Sequence, residues 1–338
     1  MNGERKKSQK QENNVICQPV AVSPCTTDAH CVEHYPFPHM EGIFLGHEAV
    51  GRITEVGPSV KKFQIGDVVV VPSITPEWDA WEIQDGLSKF SNGSGYLFTQ
   101  KKDGVFAEYF HVNDADQNLA LLPKNMTPIE GIMAVDMLAT ACAGIEEAGI
   151  QFGDTVVIFG IGPVGLLSIV AAKLKGAGKI IALGTRAICT ELAIQYGANE
   201  VIDYRQDKLI EKILQLNNNR PVDIVVTAGG NSSVISQALE IVKFGGTVSN
   251  VAGFVSDTET ILSNKAWFLG TADKTIRGTM VPGGGRYMER MLALISSGRV
   301  DVTPLATPVL YGFNEIPRAL EIMIHKPIDA IKPVVIIE

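Results

Sequence analysis

Hydrophobic and polar positions divide the chain into three stretches. From Val15 to about Ala139 the apolar runs are short, such as Ile65 to Val71, and Gly, Pro and Asp break them. That is the pattern of turn-bounded strands. From about Thr140 to Met280 apolar runs alternate with helix-like stretches. Thr155 to Phe159, Ile180 to Leu183, Val222 to Thr227 and Gly246 to Val251 read as buried strands, and Leu166 to Lys175 as a helix. Continuous apolar strands separated by helices predict a parallel sheet covered on both faces, hence an α/β fold. From Val302 the chain returns to strand and helix and closes on the apolar run Val334 to Ile337. The expected organisation is a disordered polar tail over 1–14, a β-rich domain built from 15–139 and 301–338, and a doubly wound domain over 140–300 inserted between.

The first buried strand runs straight into Gly160-Ile161-Gly162-Pro163-Val164-Gly165 and then a helix. Strand, glycine loop, helix, strand is the context in which G-x-G-x-x-G marks a Rossmann dinucleotide site. The first glycine permits a tight turn, the second lets backbone approach a pyrophosphate, and the third lets helix pack on strand. Pro163 suits the first helical turn, where a missing N–H costs nothing. The pyrophosphate is expected at the positive end of that helix. An NAD site normally carries Asp or Glu about 20 residues further on, bonded to the ribose 2′-hydroxyl. Here no acidic residue lies between Thr155 and Thr190, and the position offers Gly184, Thr185 and Arg186. That favours a 2′-phosphate and so NADP(H).

The length of 338 residues allows two domains. A net charge of -8 argues against nucleic acid or an anionic membrane as the main partner. No apolar run is expected to reach membrane-spanning length, and the polar start has no secretory apolar core. The five cysteines, Cys17, Cys25, Cys31, Cys142 and Cys189, are an odd number without a disulfide-framework spacing. A reducing, cytoplasmic setting follows, with Cys142 and Cys189 as buried thiols.

Gly46-His47-Glu48 opens the spacing GHE-x-x-G-x-x-x-x-x-G-x-x-V, followed by Gly66-Asp67. With Ser23 to His30, Asp103 to Phe106, His111 to Asp116, Val135-Asp136-Met137 and Ile331 to Val335, this resembles the zinc-containing medium-chain dehydrogenase/reductase family. The wording is closest to its NADP-dependent secondary alcohol dehydrogenase branch. The resemblance runs from about Val20 to the C-terminus. It implies a GroES-like fold for the β-rich domain and one catalytic zinc held by Cys25, His47 and Asp136, with Glu48 as a displaceable ligand. Three protein ligands and an open position suit a catalytic zinc, which acts as a Lewis acid on oxygen. It also implies a proton relay through Thr27 and His30, a residue closing over the adenosine at Tyr204, and a pocket aromatic at Tyr96, where the branch usually has Trp. There is no cysteine between Cys31 and Cys142, so no structural zinc lobe is expected. The implied assembly is a homotetramer or dimer with contacts in 269–286.

One departure stands out: the apolar hairpin that normally begins the family's chain is replaced by Met1 to Asn14, so the first sheet should expose an edge. The leading expectation is interconversion of small secondary alcohols and ketones with NADP(H). A polyol or sugar dehydrogenase, and a non-catalytic NADPH-binding protein, are the alternatives.

Overall fold

The computed structural model describes residues 12–34, 42–90, 102–254 and 257–338. Tyr96 and the first eleven residues of the expected tail lie outside these. Among the described residues thirteen strands form two sheets. The first contains β1 (Val15–Val22), β2 (Ala49–Val56), β3 (Val68–Val71), β4 (Phe110–Val112) and β5 (Ala120–Leu121). The second contains β6 (Thr155–Phe159), β7 (Lys179–Leu183), β8 (Glu200–Ile202), β9 (Val222–Thr227), β10 (Val242–Asn250) and β11 (Thr275–Gly278). The chain then returns to the first sheet with β12 (Ala306–Tyr311) and β13 (Lys332–Ile336).

The second sheet is wholly parallel in the order β11-β10-β9-β6-β7-β8. Its strand order reverses between β6 and β9, and ligands sit at such a switch point, beyond the carboxyl ends of the strands. β6 is central and buried along its whole length, which is why its sequence is apolar without alternation. The fourth strand begins earlier than the sequence suggests, at Val242, with an irregularity in pairing between Val242 and Thr247.

In the first sheet β1 is covered on both sides. β2 pairs along its length, while β4 and then β13 share the other flank. β4 pairs with β1 alone among the described residues. Residues 12–14, read from composition as part of the tail, are instead fastened. The carbonyls of Glu12, Asn13 and Asn14 accept from the N–H groups of Ser59, Ala115 and Gly57 at 2.8–2.9 Å. Three satisfied carbonyls hold a polar segment that side-chain burial alone would not.

A continuous helical run over 128–148 joins the two halves. Thr127 and Glu130 form its capping box, and Pro128 takes the first turn. The run passes through a π-helical turn at Ala134–Leu138 before continuing as Ala139–Ala148. It is long and apolar enough to cross a membrane, contrary to the sequence expectation, yet most of it is buried inside the molecule. The reason is local: it packs against both sheets. The largest apolar cluster accordingly includes Val50 and Val70 of the first sheet, Val156 and Ile158 of the second, and Ile132 and Ile145 between them.

Candidate active site

Cys25, His47, Glu48 and Asp136 come from three distant stretches, and their ligand atoms all lie within 4.8 Å of one another. Cys25 follows β1 and precedes the helix Thr26–His34, His47 and Glu48 precede β2, and Asp136 sits in the π-helical turn. Such turns are rare and frequent at functional sites, because the extra residue re-aims a side chain. The Cys25 thiol donates to Asp136 Oδ2 at 3.5 Å. His47 Nε2 lies 3.7 Å from the same oxygen and 4.0 Å from Glu48 Oε1. Thr140, one turn on, donates to Asp136 Oδ1 at 2.7 Å.

Two supporting residues escaped sequence reasoning. Asp28 is fully buried and organises the first turn of its helix. One oxygen accepts from the Cys25 N–H at 2.8 Å; the other accepts from the Gly46 N–H at 3.1 Å and faces His47 Nδ1 at 3.3 Å. A carboxylate on Nδ1 turns Nε2 toward the cluster, the usual outer support of a metal-binding histidine. Its only sequence signal was an acid three residues after Cys25. Lys332 is fully buried, and its ammonium donates to Glu48 Oε1 at 2.5 Å and to the Pro24 carbonyl at 2.8 Å. A lysine entering a C-terminal strand carries no local sign of that role.

The electrostatics describe a site short of positive charge. Burial, and then the charge of Asp136, push the Cys25 thiol up. Burial lifts Glu48 to about 7 against the pull of Lys332. Burial would raise Asp136 too, but the hydrogen bond and charge of His47 hold it down at about 2. Burial disfavours the charged form of His47, yet Asp28, and then Asp136, keep it well above its ordinary value. Glu48 Oε2 is buried with no hydrogen-bond partner among the described residues. A buried acceptor of this kind requires a partner. A tetrahedral ion with bonds of about 2.0–2.3 Å holds its ligands roughly 3.3–3.8 Å apart. The thiol, imidazole and carboxylate set fits zinc on both donor type and spacing.

The cluster opens into a cleft of about 910 Å³. Thr27 and His30, one turn apart on the helix Thr26–His34, line it on the metal side. Thr27 Oγ1 lies 3.9 Å from the Cys25 sulfur. Across the cleft stand Gly160, Gly162, Pro163 and Val164, then Gly184, Thr185, Arg186 and Tyr204. Gly162 is the cap of the helix Pro163–Leu174 and has open space where a Cβ would be, leaving the backbone free to approach a ligand. Gly165 does not line the cleft: a Cβ there would lie 1.8 Å from the Gly160 carbonyl oxygen, so this glycine serves packing. Gly184 has a second reason to be glycine. A Cβ there would meet Ile161 Cγ1 at 2.0 Å, a constraint the acid-free stretch did not reveal. Lys326 also lines the cleft.

Cys142 and Cys189 are buried, and burial pushes the Cys142 thiol up to about 12.

Residues 11–124 match the family model described as an alcohol dehydrogenase GroES-like domain, and 163–297 match that of a zinc-binding dehydrogenase. The chain is 45% identical to an NADP-dependent isopropanol dehydrogenase of Clostridium beijerinckii, covering 96% of this chain and 93% of that one. It is 42% identical to one of Entamoeba histolytica, covering 95% and 88%. Among solved structures, the alcohol dehydrogenase TADH from Thermus sp. ATN1 superposes with a TM-score of 0.87 at 27% identity, covering 100% of this chain and 96% of that one. Sequence, sheet order and metal-ligand cluster agree: the chain belongs to the zinc-binding alcohol dehydrogenases.

Proposed function

We propose that the chain is a zinc- and NADP(H)-dependent dehydrogenase that interconverts small secondary alcohols and ketones, and also acts on aldehydes. The observation that carries this reading is that the ligand cluster, through Cys25 and Asp136, and the glycine loop line one cleft. Cys25, His47 and Asp136 would hold zinc, with Glu48 as the exchangeable fourth group. Bound zinc supplies Lewis acidity toward the substrate oxygen, and the nicotinamide gives or takes the hydride.

The chain's own groups do the rest. Asp28 holds Cys25 and His47 in place from behind. Thr27 stands beside the cluster and passes the alcohol proton toward His30 and solvent, a relay supported by their shared helix face. The N–H groups at the start of Pro163–Leu174 receive the pyrophosphate. Thr185, Arg186 and Tyr204 receive the 2′-phosphate end, with Gly184 leaving room and no opposing charge. The division into a catalytic part, 15–139 with 301–338, and a nucleotide part, 140–300, belongs to the same reading.

We assign a homotetramer built on paired nucleotide halves. β11 is an edge strand, and Phe244, Phe268 and Leu269 are exposed beside it, with the two rings 5.2 Å apart. A mass measurement giving a monomer at working concentration contradicts this. Five free thiols suit a reducing, cytoplasmic setting.

The decisive assay is NADPH oxidation against acetone, acetaldehyde and a ketose, on protein whose zinc content has been measured. Acetone reduction with about one zinc per chain is the expected result. Preference for the ketose moves the assignment to a polyol dehydrogenase. Tight NADPH binding without turnover makes the protein a binding module.

A further inference from the structure

The three residues Ala330 to Lys332 lie along the cleft and touch both of its functional ends. On the nucleotide side, Arg186 Nη1 donates to the Ala330 carbonyl at 2.5 Å, joining positions 144 residues apart. On the metal side, Lys332 holds Glu48 and the Pro24 carbonyl, and Pro24 adjoins Cys25. The backbone between is not slack. The Ala330 N–H donates to the Pro327 carbonyl at 3.1 Å and the Ile331 N–H to the Thr307 carbonyl at 3.0 Å. Lys332 itself is in register with Ala306 in the β12–β13 pair. The segment is therefore stiff: strain placed on Ala330 is passed along it toward Lys332, where a slack loop would absorb it.

We propose that this segment couples the nucleotide end of the cleft to the metal end: a 2′-phosphate that takes Arg186 from Ala330 loosens the hold of Lys332 on Glu48, and the freed carboxylate retains zinc more firmly. This rests on the reading of the cleft as a zinc and NADP(H) site. Lys332 is then a positioning residue. The physical steps are ordinary. A phosphate dianion binds a guanidinium in bidentate fashion and outcompetes a neutral carbonyl. Glu48 is buried and has two cations to serve, Lys332 and the metal, so loosening one strengthens the other. The coupling must also be reciprocal, so zinc should tighten nucleotide binding by the same factor.

The experiment follows zinc loss from the zinc-loaded full-length chain to excess 4-(2-pyridylazo)resorcinol by absorbance. The probe is adenosine 2′,5′-bisphosphate at saturation, checked by calorimetry. It lacks the nicotinamide and so does not reach the metal. Adenosine 5′-phosphate, without the 2′-phosphate, is the control. The bisphosphate should slow zinc loss about five- to tenfold, the lower end of ordinary couplings, and the monophosphate should not. Arg186→Ala, which lacks the Ala330 contact from the start, should lose zinc slowly without any nucleotide. Lys332→Met should abolish the response and Lys332→Arg restore it. Zinc loss that is unchanged or faster, in a protein that holds zinc and binds the bisphosphate, overturns the coupling and leaves the proposed function standing. A chain that takes up neither overturns both. The wild-type comparison decides even if Lys332→Met fails to fold.

Discussion

On the metal side of the cleft the chemistry rests on ionisable side chains withdrawn from water. Asp28, Glu48 and Lys332 are fully buried and His47 nearly so, each answered by an opposite charge or a hydrogen bond. On the nucleotide side the working feature is largely missing side chains. Gly160, Gly162 and Gly184 bring backbone up to the cleft, and Arg186 adds a charge two residues after Gly184. The difference teaches where each wall is fragile. Removing a group from the first leaves a buried partner uncompensated. The second is damaged mainly by adding something.

The largest effect that should separate the two walls is loss of a metal ligand. Cys25→Ser or Asp136→Ala is expected to abolish turnover while NADPH affinity, followed by fluorescence titration, falls by no more than the roughly five- to tenfold of the proposed coupling. Parallel loss of cofactor affinity would show that these residues support folding and not metal. Next comes Thr27→Ala, with turnover lower by roughly 10²–10⁴-fold, the range for a positioned proton-transfer group. Turnover unchanged across the pH range would remove Thr27 from the relay.

The nucleotide wall should respond less, and selectively. Arg186→Ala should weaken NADPH by roughly ten- to a hundredfold, since hydrogen bonds to charged groups contribute about 1.5–3 kcal/mol, and leave NADH alone. The ratio of kcat/KM for the two cofactors measures this, and an unmoved ratio excludes Arg186 from the phosphate site. Gly184→Asp supplies the ribose acceptor that the sequence lacks, but its Cβ collides with Ile161. The single change should therefore lose both cofactors, and only Gly184→Asp with Ile161→Ala should turn preference toward NADH. A single mutant that already prefers NADH would show that Ile161 yields freely.

The smallest effect tests the nucleotide sheet itself. Asp223 on β9 accepts from the Thr155 N–H of β6 and pairs with Lys243 of β10. Burial would raise its pKa, but Lys243 and the Thr155 N–H outweigh burial and hold it below the usual carboxylate value. A depressed folded-state pKa means the unfolded chain binds the proton first. The pair's stability is thus present above about pH 4 and is lost as pH falls through the folded value. The Tm gap between wild type and Asp223→Asn should be widest near neutrality and close as pH falls below the ordinary carboxylate range and through the folded value. A gap independent of pH would assign the difference to packing.

Legibility divides along the same line. The four proposed ligands could be read because their segments resemble those of a known family, and the glycine loop because strand and helix flank it. The supports could not. The pairing of Lys332 with Glu48 spans 284 residues, and the contact between Ile161 and Gly184 exists only once β6 and β7 are side by side. Residues 12–14 look disordered by composition because their anchors are backbone carbonyls, which any sequence possesses. The apolar content of 128–148 is ambiguous by itself, since a helix shared by two cores reads like one made for lipid.

That shared helix has a mechanical consequence. Its first part, Pro128–Met133, packs on β1, β2 and β13, and its last part, Ala139–Ala148, packs on β9, β10 and the helix Pro163–Leu174. At this crossing the two halves are joined by an axle, not by a tether. Any change in the angle between them has to be absorbed along that axle, and its least regular turn is the π segment, where Asp136 sits. The residue that would grip the metal is thus also the residue at the pivot. Opening or closing the cleft by rotation would swivel a ligand, so the two halves are not independent bodies that merely meet around a fixed ion.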